Sequence, residues 1–344
     1  MEGLKDFYHK IDRWLEKGYI SKKSLEVLKD FLAQYIRTVT NSGTSHEFAM
    51  SISAQYLDVL EKLFIKPFHF MPYHKMITEP FDYYTFGMDF AKPLIKLNES
   101  QYFGEENLQN IEKQIKAKEN VIFLANHQTE IDPHLINHLL KEKHAALGKD
   151  MIYVAGDRVI SDHLAIPMSM GRNLLCIYSK KHINNPPEKK EAKRLHNKKT
   201  MQLMSELLSE GGKCIYVAPS GGRDRPDKNG VFNVASFDAQ SIEMFYLMTK
   251  RAKTVTHFYP LALLTYRVLP PPNDVESELG EKRHTECAGV YVSFGKEIDM
   301  ENFPGCDHQN KMNQRHLKCD HIWNIVKDDY QKLIKIKDQH EESN

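Results

Sequence analysis

The chain has no apolar run near the roughly 18 residues that a membrane-spanning helix needs, so the expectation is a soluble chain that at most touches a bilayer surface. It is also poor in cysteine. The five present, an odd number scattered from Cys176 to Cys319, form no disulfide framework and point to a reducing compartment. Charge of one sign is missing too: lysine plus arginine (47) nearly balances aspartate plus glutamate (46) over 344 residues, so any basic site must be local and a general nucleic-acid binder is excluded. The first residues show neither an apolar signal core nor an Arg/Ser-rich, acid-poor leader, as expected of a cytosolic start or of a chain whose leader has been removed. What is present, 41% hydrophobic residues, is enough for one large α/β domain and a smaller unit.

Taken in order, the sequence opens on a helical theme. Leu4, Phe7, Tyr8, Ile11, Trp14 and Leu15 fall at helical spacing and end at Gly18; Leu25, Leu28, Phe31, Leu32, Tyr35 and Ile36 repeat it after the cap candidate Ser21. A third stripe, Phe48, Ile52, Tyr56, Leu57, Leu60 and Leu63, stops before Pro67. Such stripes bury against one another, predicting a small helical bundle over 1–75, followed by an α/β domain over 76–344. Residues 68–104 show no clear period and cross between the two.

From Glu105 helix and strand alternate: helix 105–118, strand 120–125, helix 133–145, strand 151–155, helix 159–170, strand 173–178, a basic helix over 187–209 and strand 213–218. Apolar strands near 255–268 and 288–295 and a C-terminal helix after 311 complete the pattern. The fold class it predicts is α/β, with a mixed, largely parallel sheet covered by helices.

The stretch Asn126-His127-Gln128-Thr129-Glu130-Ile131-Asp132-Pro133 follows the apolar run Val121–Ala125, placing His127 in a strand-to-helix turn. In an α/β sheet that is the carboxyl edge, where ligands bind, and a histidine there can take a proton from a hydroxyl near neutral pH. A carboxylate five residues later can hold the imidazole, giving the base-and-orienter half of a serine-protease triad with the hydroxyl supplied by substrate. Asp132 is equally explained as a helix N-cap, and a chance pair is expected among seventeen histidines. His127, Glu130 and His134 are not a helical zinc motif, because Pro133 interrupts the i, i+4 face.

A second loop follows the 213–218 strand: Pro219-Ser220-Gly221-Gly222-Arg223-Asp224-Arg225-Pro226-Asp227. The glycine pair lets backbone approach a ligand, and arginines at i and i+2 can face one phosphate; the plainer reading is a surface turn with its arginines paired to Asp224 and Asp227. Tyr178-Ser179-Lys180-Lys181-His182 follows another predicted strand and brings further cations to the same edge. Between Lys180 and Lys199 there are eight lysines or arginines against Glu188 and Glu191, and a run like this is ordinarily a solvated helix face that can also steer an acidic partner.

In this order and spacing, Asn-His-Gln-Thr-Glu-x-Asp-Pro, Tyr-Ser-Lys-Lys-His and Ala-Pro-Ser-Gly-Gly-Arg-Asp-Arg-Pro-Asp resemble the soluble glycerol-3-phosphate 1-O-acyltransferases of plant plastids and chlamydia-like bacteria. Phe258–Leu264 and Pro270-Pro271-Pro272 fit as well, so the resemblance covers about residues 75–300. It implies transfer of a fatty acyl group from a thioester of acyl carrier protein or coenzyme A to the sn-1 hydroxyl of glycerol 3-phosphate, with these thioesters as co-substrates and no cofactor. It further implies His127 as general base, Asp132 as its partner, and Lys181, His182, Arg223 and Arg225 as phosphate ligands. Backbone N–H groups of Ser220, Gly221 and Gly222 are the expected oxyanion donors. The expected location is the cytoplasm, or the plastid stroma if a leader has been removed, with transient membrane contact.

Two rival functions stay open. A lysophosphatidate acyltransferase would share His-x4-Asp but carry a Glu-Gly-Thr-Arg type loop, and a non-catalytic phosphate- or carrier-protein-binding module would keep the motifs without needing His127. Cys306, His308, His316, Cys319 and His321 supply zinc-type ligands at a spacing no standard site uses, so no metal is expected.

Overall fold

A computed structural model describes residues 3–179, 183–271 and 283–342. Three helices open the chain: α1 (Leu4–Glu16), α2 (Lys22–Asn41) and α3 (His46–Ile65). Ser21 and Ser45 cap α2 and α3 by accepting the N–H of Ser24 and Phe48 at 3.1 and 3.2 Å. The three apolar stripes face inward, with Trp14, Tyr35 and Tyr56 fully buried, while Leu15 and Phe48 at the stripe margins are exposed. Their core continues into α4 (Tyr83–Ala91), where Tyr35 stacks on Phe90 at 4.3 Å between ring centroids. It also takes in Ile131, Leu135 and Met168, so the turn that carries His127 rests directly on the helical bundle.

The remaining elements follow in chain order. Short strands β1 (Tyr73–His74) and β2 (Gln101–Phe103) flank α4, then come α5 (Glu105–Lys116), β3 (Asn120–Ala125), α6 (Asp132–Leu140), α7 (Ala145–Asp150), β4 (Ile152–Gly156), α8 (Asp157–Ser161), α9 (Ile166–Met170) and β5 (Asn173–Ile177). They are followed by α10 (Lys190–Glu210), β6 (Cys214–Val217), α11 (Ala239–Ala252), β7 (Thr256–Leu264), β8 (Tyr291–Phe294) and α12 (Lys311–Glu342). The eight strands form one sheet in the order β1-β5-β4-β6-β3-β7-β8-β2, parallel except where β1 meets β5 and β7 meets β8. The mixed, largely parallel α/β sheet behind a helical N-terminus is therefore the architecture found.

Alternation along the buried strands assigns the two faces. Ile122, Leu124, Ile215 and Val217 pack against α10, α11 and α12, whereas Val121, Phe123, Cys214 and Tyr216 pack against α5 and α6. Because β3, β4, β5, β6 and β7 run parallel, the loops that leave their carboxyl ends emerge on one edge.

Several expected boundaries differ. The helix expected over 133–145 stops at Leu140 and resumes as α7, and the one over 159–170 is split into α8 and α9, with Asp162 between them accepting the Leu164 N–H at 3.0 Å. No helix was expected over 239–252, yet α11 is there, capped by Asp238. It leaves Met244 and Leu247 exposed beside the buried Ile242 and Phe245, so its apolar pattern lacks a polar face to contrast with. Similarly α4 is buried at Phe86, Gly87, Met88, Phe90 and Ala91, which hides its period. No helix among the described residues is long and apolar enough to cross a membrane.

Candidate active site

The turn after β3 is built by its own side chains. Asn126 prolongs the β3–β7 ladder by one residue: its Oδ1 accepts the Leu263 N–H at 2.7 Å and its Nδ2 donates to Leu263 O at 2.9 Å. Two residues on, Gln128 Oε1 accepts the N–H groups of Thr265 and Tyr266 at 2.7 and 3.2 Å. These buried amides hold the two ends of the turn to β7, so the residue between them, His127, is presented outward at fixed height.

Asp132 then folds back under the turn. It is the first residue of α6, with Ile131 in the cap position, so the N-cap reading of Asp132 is not the one the fold adopts. Its Oδ2 accepts the backbone N–H of Gln128 at 2.8 Å and of Thr129 at 3.2 Å, and Thr265 Oγ donates to its Oδ1 at 2.6 Å. The same Oδ2 lies 2.8 Å from His127 Nδ1. A carboxylate accepts, so Nδ1 carries the proton and Nε2 keeps a lone pair. The Asp132 side chain is 1% exposed and that of His127 23% exposed, which is the arrangement of a buried orienter and an accessible base.

The loop after β6 is fastened to this turn. Asp224 N–H donates to His127 O at 2.6 Å, and the fully buried Asp224 carboxylate accepts from Asn126 Nδ2 at 2.8 Å, Gln128 Nε2 at 3.2 Å and Ala235 N at 2.9 Å. Asp224 is thus a pin between the two motifs. Asp227 also has another use, closing a turn by accepting the N–H groups of Asn229 and Val231 at 2.8 and 3.0 Å. Burial pushes the Asp224 carboxyl up to about 6, against the opposing pull of Ala235, Asn126 and Gln128.

The sign of that shift gives a pH test. A carboxyl raised in the folded state favours folding while protonated, so its contribution is lost as pH rises from about 4 to about 6. Relative to Asp224→Asn, the wild type is expected to lose stability over that interval and to hold a constant difference above it, as read by chemical denaturation at each pH. A difference that grows in favour of the wild type over the same interval would show the three donors outweighing burial.

Arg223 and Arg225 flank Asp224 and are half-buried. Arg223 Nη1 is 3.5 Å from Glu130 Oε1, so the structure brings the arginine loop within one ion pair of the His127 turn. Of the backbone N–H groups expected as oxyanion donors, that of Gly221 is bonded to Ala218 O at 3.0 Å and serves the turn itself. The Ser220 side chain also bonds within the loop, its hydroxyl donating to Gly222 O at 2.9 Å. Gly221 adopts φ of 69°, the left-handed conformation for which glycine suits the position.

Two comparisons bear on what this edge does. A family model described as Acyltransferase matches residues 101–263. The glycerol-3-phosphate acyltransferase, chloroplastic, of Spinacia oleracea is 38% identical over 337 residues, covering 97% of this chain and 71% of that protein. The chain belongs to the glycerol-3-phosphate acyltransferase family. The chloroplastic protein of the same name from Arabidopsis thaliana is 35% identical over 332 residues (95% of this chain, 72% of that one), and that from Carthamus tinctorius is 40% identical over 306 residues (86% and 65%).

Within this family member, Lys181 and His182 lie outside the described residues. Their loop is described to Ser179, at the carboxyl end of β5 and so on the same sheet edge. The basic helix α10 presents Arg194, Lys198 and Lys199 to solvent, but Lys193 turns inward, over the Tyr178 ring at 5.3 Å and onto Asn185 O at 2.5 Å. Cys319 is buried, with its thiol against Phe237 O at 3.4 Å, and His308 Nδ1 accepts the Asn310 N–H at 3.1 Å. Among the described residues no group of three or more His, Cys, Asp or Glu side chains could hold a metal ion.

The sequence reading did not single out Glu130, Asp162, Thr265 or Arg283 as parts of this edge. Arg283 donates to both Glu130 oxygens at 3.0 and 3.1 Å and to Asp162 Oδ2 at 2.8 Å. Burial disfavours the Glu130 carboxylate, but Arg283 and Arg223 overcome it and hold the carboxyl below its usual range. Nothing in local sequence announces a contact between residues 153 positions apart.

Proposed function

We propose that this enzyme transfers a fatty acyl group from an acyl thioester to the sn-1 hydroxyl of glycerol 3-phosphate, giving lysophosphatidate. The observation that carries the reading is the 2.8 Å contact between His127 Nδ1 and a buried carboxylate, on a turn to which the Arg223–Arg225 loop is hydrogen-bonded. In this reading Arg223 and Arg225, with Lys181 and His182 from the β5 loop, hold the phosphate and so fix the three-carbon acceptor with its terminal hydroxyl toward His127 Nε2. His127 takes the hydroxyl proton as the oxygen attacks the thioester carbon, and the imidazolium is stabilised by Asp132. Collapse of the tetrahedral intermediate breaks the carbon–sulfur bond, and the imidazolium returns its proton to the thiolate. No cofactor takes part.

The test is a labelled acyl thioester offered with glycerol 3-phosphate, with lysophosphatidate or with no acceptor. Label is expected in lysophosphatidate with the first acceptor alone. Label in phosphatidate instead would make the protein a lysophosphatidate acyltransferase, label released as free acid in all three would make it a thioesterase, and donor left intact would make it a binding module.

The acyl donor is a thioester of acyl carrier protein, of coenzyme A or of both. The exposed Arg194, Lys198 and Lys199 on α10 suit an acidic carrier protein, since association between opposite charges is steered over a Debye length of about 8 Å at physiological salt. Reversing these three residues to glutamate should raise KM for the carrier-protein thioester about tenfold or more and leave KM for the coenzyme A thioester unchanged. An unchanged, salt-insensitive value for the carrier-protein substrate would rule the surface out. The compartment is reducing and aqueous, cytoplasm or plastid stroma, and the amphiphilic product is delivered by transient contact with a bilayer.

A further inference from the structure

A chain of charged groups of alternating sign runs up to the arginine loop. Asp162, between α8 and α9, meets Arg283; Arg283 grips both oxygens of Glu130; and Glu130 reaches Arg223 by one longer contact of 3.5 Å. The Arg283 side chain is 6% exposed, that of Glu130 12% and that of Asp162 9%. Arg283 and Glu130 also line a narrow apolar cavity walled by Phe31, Tyr56, Phe90 and Met168, where the dielectric is low and each charge depends on its partner.

The asymmetry of the contacts matters. Glu130 is satisfied chiefly by Arg283, in a two-pronged pair, and touches Arg223 only at its margin. Without Arg283, a buried Glu130 carboxylate would have to draw Arg223 into a close pair, and Arg223 would then face a carboxylate where it should face a phosphate. We propose that Arg283 is a positioning residue for the acceptor site: by saturating Glu130 it leaves Arg223 oriented by that carboxylate but not captured by it. The inference rests on the reading of Arg223 as a phosphate ligand.

A capture mechanism has a signature that ordinary destabilisation lacks, because removing the captor should repair the damage. Arg283→Gln is expected to raise KM for glycerol 3-phosphate by about tenfold or more with kcat within about threefold of wild type. Glu130→Gln alone, which loosens Arg223 without capturing it, is expected to raise KM less. The double variant E130Q/R283Q should return to the KM of E130Q, so that a second substitution partly rescues the first. Melting temperatures of all variants are measured alongside, and R283K with and without E130Q decides by the same criterion if R283Q does not fold.

An R283Q effect on KM that E130Q fails to relieve, or an R283Q that loses stability or kcat with KM unmoved, overturns the proposal. Arg223→Ala separates the two levels. If it leaves KM for glycerol 3-phosphate unchanged, the phosphate-site reading itself is wrong; if it raises KM while R283Q does not, only the positioning role is.

Discussion

Replacing His127 by alanine is expected to lower kcat for acyl transfer by about 10^3- to 10^4-fold, the range lost when a general base that also returns its proton is removed. The fold should survive. The imidazole is partly exposed and its one hydrogen bond described is to Asp132, which retains the N–H groups of Gln128 and Thr129 and the hydroxyl of Thr265 as donors. Melting temperature and the affinity for glycerol 3-phosphate, measured by titration calorimetry, should therefore stay close to wild type. Activity within about tenfold of wild type would remove His127 from the chemistry, since a spectator imidazole is all that such a value allows.

The second large effect is expected from Asp132→Asn. An asparagine at 132 has one orientation that suits its surroundings: the carbonyl oxygen in the place of Oδ2, still accepting from His127 Nδ1, Gln128 N and Thr129 N, and the amide nitrogen donating to Thr265 Oγ, whose hydroxyl rotates to accept. The reverse orientation would set an NH2 against two backbone N–H groups. Geometry and tautomer are thus kept while the negative charge is lost, so the imidazolium formed during attack is no longer stabilised. A fall in kcat of about 10^2- to 10^4-fold with little change in melting temperature is expected. If instead kcat and stability fall together, Asp132 acts by holding the turn and not by its charge.

These expectations depend on details that were unequally legible in the sequence. The apolar run Val121–Ala125 followed by polar residues marked a buried strand because the strand is covered on both faces, which leaves no polar position to blur the signal. The five-residue step from His127 to Asp132 could be read as base and orienter since the turn is short enough for the carboxylate to reach back. Two motifs a hundred residues apart could be brought to one edge because parallel strands all release their loops on the same side.

What stayed hidden was long-range and buried. Asn126 and Gln128 look like ordinary turn residues, yet their amides substitute for ladder partners on β7, a role fixed only when β7 lies beside β3. Asp224 reads as a surface charge among arginines, and its complete burial follows from donors supplied by Asn126, Gln128 and Ala235. Lys193 counts as one more exposed lysine until Tyr178 and Asn185 are placed against it. In each case the side chain's chemistry suggested solvent and a distant partner reversed the reading.

The central claim is that a phosphate held by the post-β6 arginines delivers a hydroxyl to His127, and a crystal structure with glycerol 3-phosphate bound tests it most directly. The expected complex has phosphate oxygens within hydrogen-bonding distance of Arg223 and Arg225 and the sn-1 oxygen about 3 Å from His127 Nε2. A phosphate bound away from both arginines, or an sn-1 hydroxyl turned away from that nitrogen with no room to reach it, would contradict the account.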